Sequence, residues 1–211
     1  MIEWFAANPA AMGVVTLLLM WSDWLLSILQ ERERQLHYAE HYLSYPVNTI
    51  EGNPLYQKAI SAKRIIEPRH IVPALVFSML AAIALVLIPK DVRALFIGYM
   101  WGLFLIVDTT HIGNLIGYRA GRRGLHGKLA LHLRTGYVIQ MGRYLALAGF
   151  LVVVALLSES MFMAGVAVAG LTSAVRQLVW MRKTPAIDAA DAPPADFEST
   201  KSMEGDLQGT K

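Results

Sequence analysis

Two stretches of this chain carry no charged residue over a length that can cross a bilayer, Trp4 to Ser22 and Ile71 to Pro89. A hydrocarbon core asks for about 20 apolar residues of helix and offers no water to unpaired backbone groups. Three further segments reach that length once a charged residue is accepted inside each. The sequence therefore predicts an all-α, polytopic membrane protein of five transmembrane helices, with spans near 8–29, 70–89, 94–118, 136–157 and 160–182. Composition agrees: of 211 residues, 55% are hydrophobic and 17% charged, where a soluble domain carries about 25% charged residues. The absence of cysteine excludes disulfides, thiolate metal sites and cysteine nucleophiles. The N-terminus holds an acid and no Lys or Arg ahead of its apolar run, so the first segment is expected to be a retained helix rather than a cleaved signal peptide.

Orientation follows from the loop cations. None precedes the first span. The 30–69 loop holds Arg32, Arg34, Lys58, Lys63, Arg64 and Arg69, and the 119–135 loop holds Arg119, Arg122, Arg123, Lys128 and Arg134. The 90–93 link has only Lys90 and Arg93, the Ser158-Glu159 link has none, and Lys183 follows Arg182 after the last span. The positive-inside rule then predicts an N-terminus outside, a cytoplasmic C-terminus and a plasma (inner) membrane location with most loop residues cytoplasmic.

Residues 1–183 are expected to form the bundle and 184–211, rich in Ala, Pro, Asp and Thr, a disordered cytoplasmic tail. In the 30–69 loop, Leu36, Ala39 and Leu43 share one helical face, which predicts an extension of the first helix. Asn53 before Pro54 predicts the start of a second short helix, with Leu55, Ala59, Ala62 and Ile66 on one stripe. Basic residues beside that stripe suit a helix lying on anionic lipid headgroups, and ordinary packing on the bundle suits it equally.

Ionisable groups inside spans are costly and mark function or register. With the orientation above, Asp23, Asp108, His111, Asn114, Gln140, Arg143 and Arg176 fall at similar depth in the cytoplasmic half. They follow stripes: Thr16, Asp23 and Ser27 on the first helix, and His132, Gly136, Gln140 and Arg143 on the fourth. On the fifth, Gly165, Ala169 and Ser173 make a small-residue face that Arg176 continues. An inward-facing cluster is expected, with Asp108 paired to Arg143 or Arg176. Such pairing can serve packing alone; the imidazole of His111, which a structural pair does not need, favours function.

His37, Glu40 and His41 form H-x-x-E-H, the inverted zinc-peptidase pattern, yet without an obvious third ligand. A solvated helix explains them better, and no cofactor is required by the sequence. The glycines and arginines of GYRAGRRGLHGK could bind phosphates or anionic headgroups, though positive-inside topology accounts for them. No G-x-S-x-G, P-loop or Rossmann fingerprint is present, and nothing points to nucleic acid.

Asp23 with Ser27, then E-G-N-P at Glu51–Pro54, then Pro68-Arg69 before an apolar span, resembles uncharacterised prokaryotic multi-pass membrane proteins with a membrane Asp and an E-x-N-P loop. The resemblance covers about the first 90 residues and implies a polytopic prokaryotic membrane protein but no activity.

The leading functional expectation is a transport or channel-like role with an ion or small polar solute bound at the polar cluster. The alternatives are a membrane-embedded enzyme acting on lipid headgroups, metal-dependent or not, and an assembly subunit whose cluster fixes helix packing. Five helices are few for a pore, so conduction would require a homo-oligomer.

Overall fold

A computed structural model describes residues 1–38, 42–45, 49–51, 53–121 and 129–184, with the backbone alone at 42–45 and 129–131. In chain order the elements are α1 (Ile2–Ala7), α2 (Pro9–His37), β1 (Tyr42–Tyr45), α3 (Pro54–Ser61), α4 (Pro68–Leu87), α5 (Arg93–Gly121), β2 (Leu129–His132), α6 (Leu133–Ser158) and α7 (Met161–Lys183). A 3-10 turn at Lys90–Val92 leads into α5.

Five helices, α2 and α4 to α7, are long and apolar enough to span a membrane. α5 lies at the centre: α2 packs on it from one side and α7 from the other, α4 flanks α2, and α6 flanks α7. The flanking helices carry exposed apolar side chains along their length, among them Val72, Leu75, Met79, Ile83 and Val86 on α4 and Val138, Leu145, Val152 and Leu156 on α6. Water would not tolerate continuous faces of this size, and they point to a membrane location.

The closest approach is between α5 and α7. A Cβ added at Gly165 would lie 2.0 Å from the Leu95 carbonyl oxygen, and one at Gly98 would lie 2.0 Å from that of Phe162. Gly102 meets Val166 and Ala169 in the same way. The small-residue face expected on the last helix is thus a backbone contact, with Gly165, Ala169 and Ser173 all buried. At the same end of the bundle, Arg93 donates to the carbonyls of Val86 and Ile88, left without helical donors at the end of α4, and to that of Ala6.

Two expectations need correction. The first helix continues past the apolar run only to His37, so Leu43 falls in β1 rather than on a shared helical face with Leu36, and Ala39 lies outside the described residues. Leu36 is 62% exposed, while Gln30, Glu31, Glu33 and Arg34 are buried. The charged face turns inward because Glu31 and Arg34 satisfy each other and the incoming loop. On α3, Asn53 caps as expected by accepting from the Leu55 N–H at 3.1 Å. The buried side chains there are Ala59 and Ile60, packed under Trp24 and Ile28, whereas Leu55 and Ile66 are exposed. The helix stops at Ser61, so Ala62 and Ile66 never join a stripe. The bundle is all-helical as expected; outside it, β1 and β2 form a four-residue parallel ladder, Tyr42 opposite Leu129 through Tyr45 opposite His132. Strands this short carry no period that distinguishes them from loop. Residues 185–211, nearly all of the expected disordered tail, lie outside the described residues.

The α5–α7 contact yields a stability test. Gly165→Ala should cost about 1–3 kcal/mol by forcing the two backbones apart. Gly113→Ala, on the same α5 but with nothing within 4 Å of the added carbon, should cost nothing. Melting curves of the two purified variants in detergent check this; equal melting would mean the helices do not touch at Gly165.

Candidate functional site

Pro73 interrupts α4 one turn after it begins. Its ring nitrogen has no hydrogen for the Arg69 carbonyl, which is left without the usual helical donor. The Tyr56 hydroxyl from α3 donates to that carbonyl at 3.3 Å and so docks α3 against the start of α4. Trp24 of α2 completes the junction, its indole N–H directed at the Arg64 and Ile65 carbonyls, both at 3.1 Å. The ring of His70 stacks on Trp24 at 4.5 Å between centroids, and Tyr56 stands edge-on to both. These three rings form one wall of a cavity of about 480 Å3.

The Glu51 segment is placed over that cavity by Glu31. One oxygen of this buried carboxylate accepts from Arg34 Nη2 at 2.7 Å and Gln35 Nε2 at 2.8 Å. The other accepts from Arg34 Nε at 3.0 Å, the Thr49 hydroxyl at 3.2 Å and the Ile50 N–H at 3.1 Å. Two residues on, Glu51 lines the cavity and accepts from the Asn53 N–H at 2.7 Å. Burial pushes its carboxyl above the usual carboxylate range. The Asn53 N–H opposes that shift, the negative charge of Asp23 adds to it, and His111 and Arg176 oppose it.

Six of the seven residues predicted from sequence line this one cavity: Asp23, His111, Asn114, Gln140, Arg143 and Arg176. His132 and Gly136, the rest of the expected α6 stripe, line it too. His111 bridges α5 to α2. Its Nε2 is 3.0 Å from Asp23 Oδ1, an ionic approach not aligned as a hydrogen bond. Gln30 bonds its Nδ1, and Ser27 Oγ lies 3.4 Å from Nε2. Arg143 Nη1 donates to Asn114 Oδ1 at 3.2 Å, and Arg176 stacks on the Trp180 ring at 5.2 Å.

Asp108 is the exception. It is buried and does not line the cavity; Ser22 Oγ donates to its Oδ2 at 2.5 Å, and its Oδ1 has no hydrogen-bond partner among the described residues. The expected pairing of Asp108 with Arg143 or Arg176 is not present: among the described residues, no ion pair within 4.0 Å joins either intramembrane aspartate to either arginine. The aspartates are met from α2 and α5 instead, while Arg143 and Arg176 belong to α6 and α7 on the far side of α5.

Sequence reasoning gave no part in the polar cluster to Trp24, Glu51, Tyr56 and His70. The helical stripes rest on charges inside apolar runs, and these residues lie in or against the stretch between spans, where polarity and aromaticity carry no signal of their own. Asp23 is reached by depth and face and Asn53 as a helix cap, whereas Glu51 enters with the E-G-N-P resemblance. Of the H-x-x-E-H candidates, His37 lies 4.0 Å from Glu33, and Glu40 and His41 lie outside the described residues. Among the described residues no group of three or more His, Asp or Glu side chains could hold a metal ion.

Comparison of the chain with protein-family models, with curated proteins and with solved structures finds no match.

The raised Glu51 carboxyl makes a signed prediction. A group that holds its proton more tightly in the folded protein than in the unfolded chain destabilises the fold as pH rises through its titration. Glu51→Gln keeps an acceptor for the Asn53 N–H and removes the charge. The ligand-free variant should therefore melt above the parent at neutral pH, with the difference vanishing below the ordinary carboxylate range. A variant that melts lower at neutral pH would show that the charge at Glu51 is stabilising.

Proposed function

We propose that this is a transport-class membrane protein that binds an ion or small polar solute in the cavity between α2, α5, α6 and α7. The observation that carries this reading is that opposite charges line the cavity without cancelling each other. A cluster serving only to fix helix packing would close on itself, because an uncompensated charge in low dielectric is costly. Here Asp23 reaches only His111, and neither Glu51 nor Arg176 has an opposite charge within 4.0 Å among the described residues.

In the same reading the cavity faces the cytoplasm, the N-terminus lies outside, and the chain resides in a prokaryotic inner membrane. The cation-rich stretches 30–69 and 119–135 support this, since Thr49, Glu51 and Tyr56 of the first and His132 of the second line the cavity. The resemblance to E-x-N-P membrane proteins gains a physical content here, because Asp23, Glu51 and Asn53, which carry it, all line the cavity. Exposed Leu55, Ile65 and Ile66, with Lys58, Lys63 and Arg64 nearby, fit contact with anionic headgroups at that surface. Conduction through so few helices would call for a homo-oligomer.

His111→Ala separates this role from packing. The ring joins α2 to α5, so its loss should cost stability modestly, about 1 kcal/mol. Uptake should fall by at least about tenfold, as expected when a group that meets the solute is removed. The assay is uptake by proteoliposomes of labelled inorganic cations, small amines, amino acids and phosphate. Protein-dependent uptake of at least one, lost in His111→Ala, supports transport. No uptake of any would overturn it and favour a packing role.

A further inference from the structure

Resting on the proposed solute site, its charge arrangement goes further and specifies the kind of solute. We infer that the cavity takes a small zwitterion, an ammonium group held by Glu51 and Asp23 beside Tyr56, and an oxyanion held by Arg143 and Arg176.

The two ends of the site come from opposite sides of α5. Glu51 and Asp23 belong to α2 and the loop it anchors, whereas Arg143 and Arg176 belong to α6 and α7. α5 contributes the neutral or switchable groups between them, Asn114 and His111. Half-buried Tyr56 lines the same end, and an aromatic ring beside carboxylates adds to charge in recognising an ammonium group. The basic end offers two guanidinium groups, whose planar forks match carboxylate or phosphate oxygens. A lone metal cation would leave the arginines unmet and most of a 480 Å3 cavity unfilled. A lone anion would leave Glu51 unmet.

Ammonium paired with an oxyanion occurs in soluble amino acids and phosphoamines and in the headgroup of phosphatidylethanolamine. The test uses O-phosphoethanolamine, with ethanolamine and inorganic phosphate as its two halves. Trp24 and Trp180 both line the cavity, so intrinsic fluorescence of the full chain in detergent reports binding. O-Phosphoethanolamine should bind at least about tenfold tighter than either half. Glu51→Gln should weaken ethanolamine and O-phosphoethanolamine and spare phosphate; Arg176→Gln should weaken phosphate and O-phosphoethanolamine and spare ethanolamine. If either variant fails to fold, Glu51→Asp and Arg176→Lys replace them. Repeating the titration in nanodiscs identifies the source. Competition by phosphatidylethanolamine but not phosphatidylglycerol assigns a lipid headgroup, and equal binding in both assigns a soluble zwitterion. The inference is overturned if one half binds as tightly as the whole, if both variants lose both halves alike, or if no probe binds. Uptake of a simple ion with O-phosphoethanolamine ignored would overturn the zwitterion and leave transport standing. O-Phosphoethanolamine binding without uptake of any solute would do the reverse.

Discussion

The buried carboxylate of Glu31 is the interaction on which the site depends. A lone carboxylate with no exposed surface would be untenable in a helix end packed against protein. Glu31 is stable there because five donors surround it: two from Arg34, and one each from Gln35, Thr49 and the Ile50 main chain. Gln35 extends the network to the far side of the loop, donating to the Ser61 carbonyl at 2.9 Å and accepting from Lys63 Nζ at 2.7 Å. Both ends of α3 are thus tied to one turn of α2. That tie places Glu51 over the cavity, and together with the Trp24 contacts to α3 it brings Tyr56 to the carbonyl that Pro73 leaves open.

The rest of the bundle holds the opposite wall in place. Backbone contact at Gly98, Gly102 and Gly165 locks α7 to α5 at the end away from the cavity. At the cavity end the contacts change character. Tyr38 donates to the Tyr118 carbonyl, Arg119 reaches Glu33 at 3.4 Å, and His111 reaches Asp23. Tight apolar packing at one end and sparse polar bridging at the other leave space between α2 and the α6–α7 pair. That division explains how charged residues on apolar helices can line a cavity rather than vanish into pairs.

Much of the fold was legible in the sequence because the bilayer constraint is severe. A helix must be long and apolar to cross, and any polar group within it must face inward. Those two conditions were enough to find all five helices and to group Asp23, His111, Asn114, Gln140, Arg143 and Arg176. The pairing was not legible: depth and face place Asp108 near the arginines but cannot show that α5 stands between α2 and α7. Leu36 misled for a related reason. Apolar periodicity predicts which face is buried only where burial is driven by apolar contact, and at the end of α2 it is driven by Glu31 and Arg34. Glu51 and Tyr56 carried no signal because residues between spans incur no penalty for being polar, and His70 stands at the very start of its span, where the same holds.

The central claim is that the polar groups line a cavity open to water on one side of the membrane instead of forming a sealed packing cluster. Because the chain contains no cysteine, single cysteines report accessibility without background. Asn114→Cys and Gln140→Cys, introduced separately, are treated with a membrane-impermeant thiol reagent in sealed right-side-out and inside-out vesicles, with Val153→Cys on the apolar outer face of α6 as a control. The account predicts that both cavity positions label in inside-out vesicles only and that Val153→Cys labels in neither. Failure of both cavity positions to label in either orientation, with the protein folded, would mean the groups are sealed from water and would contradict the account.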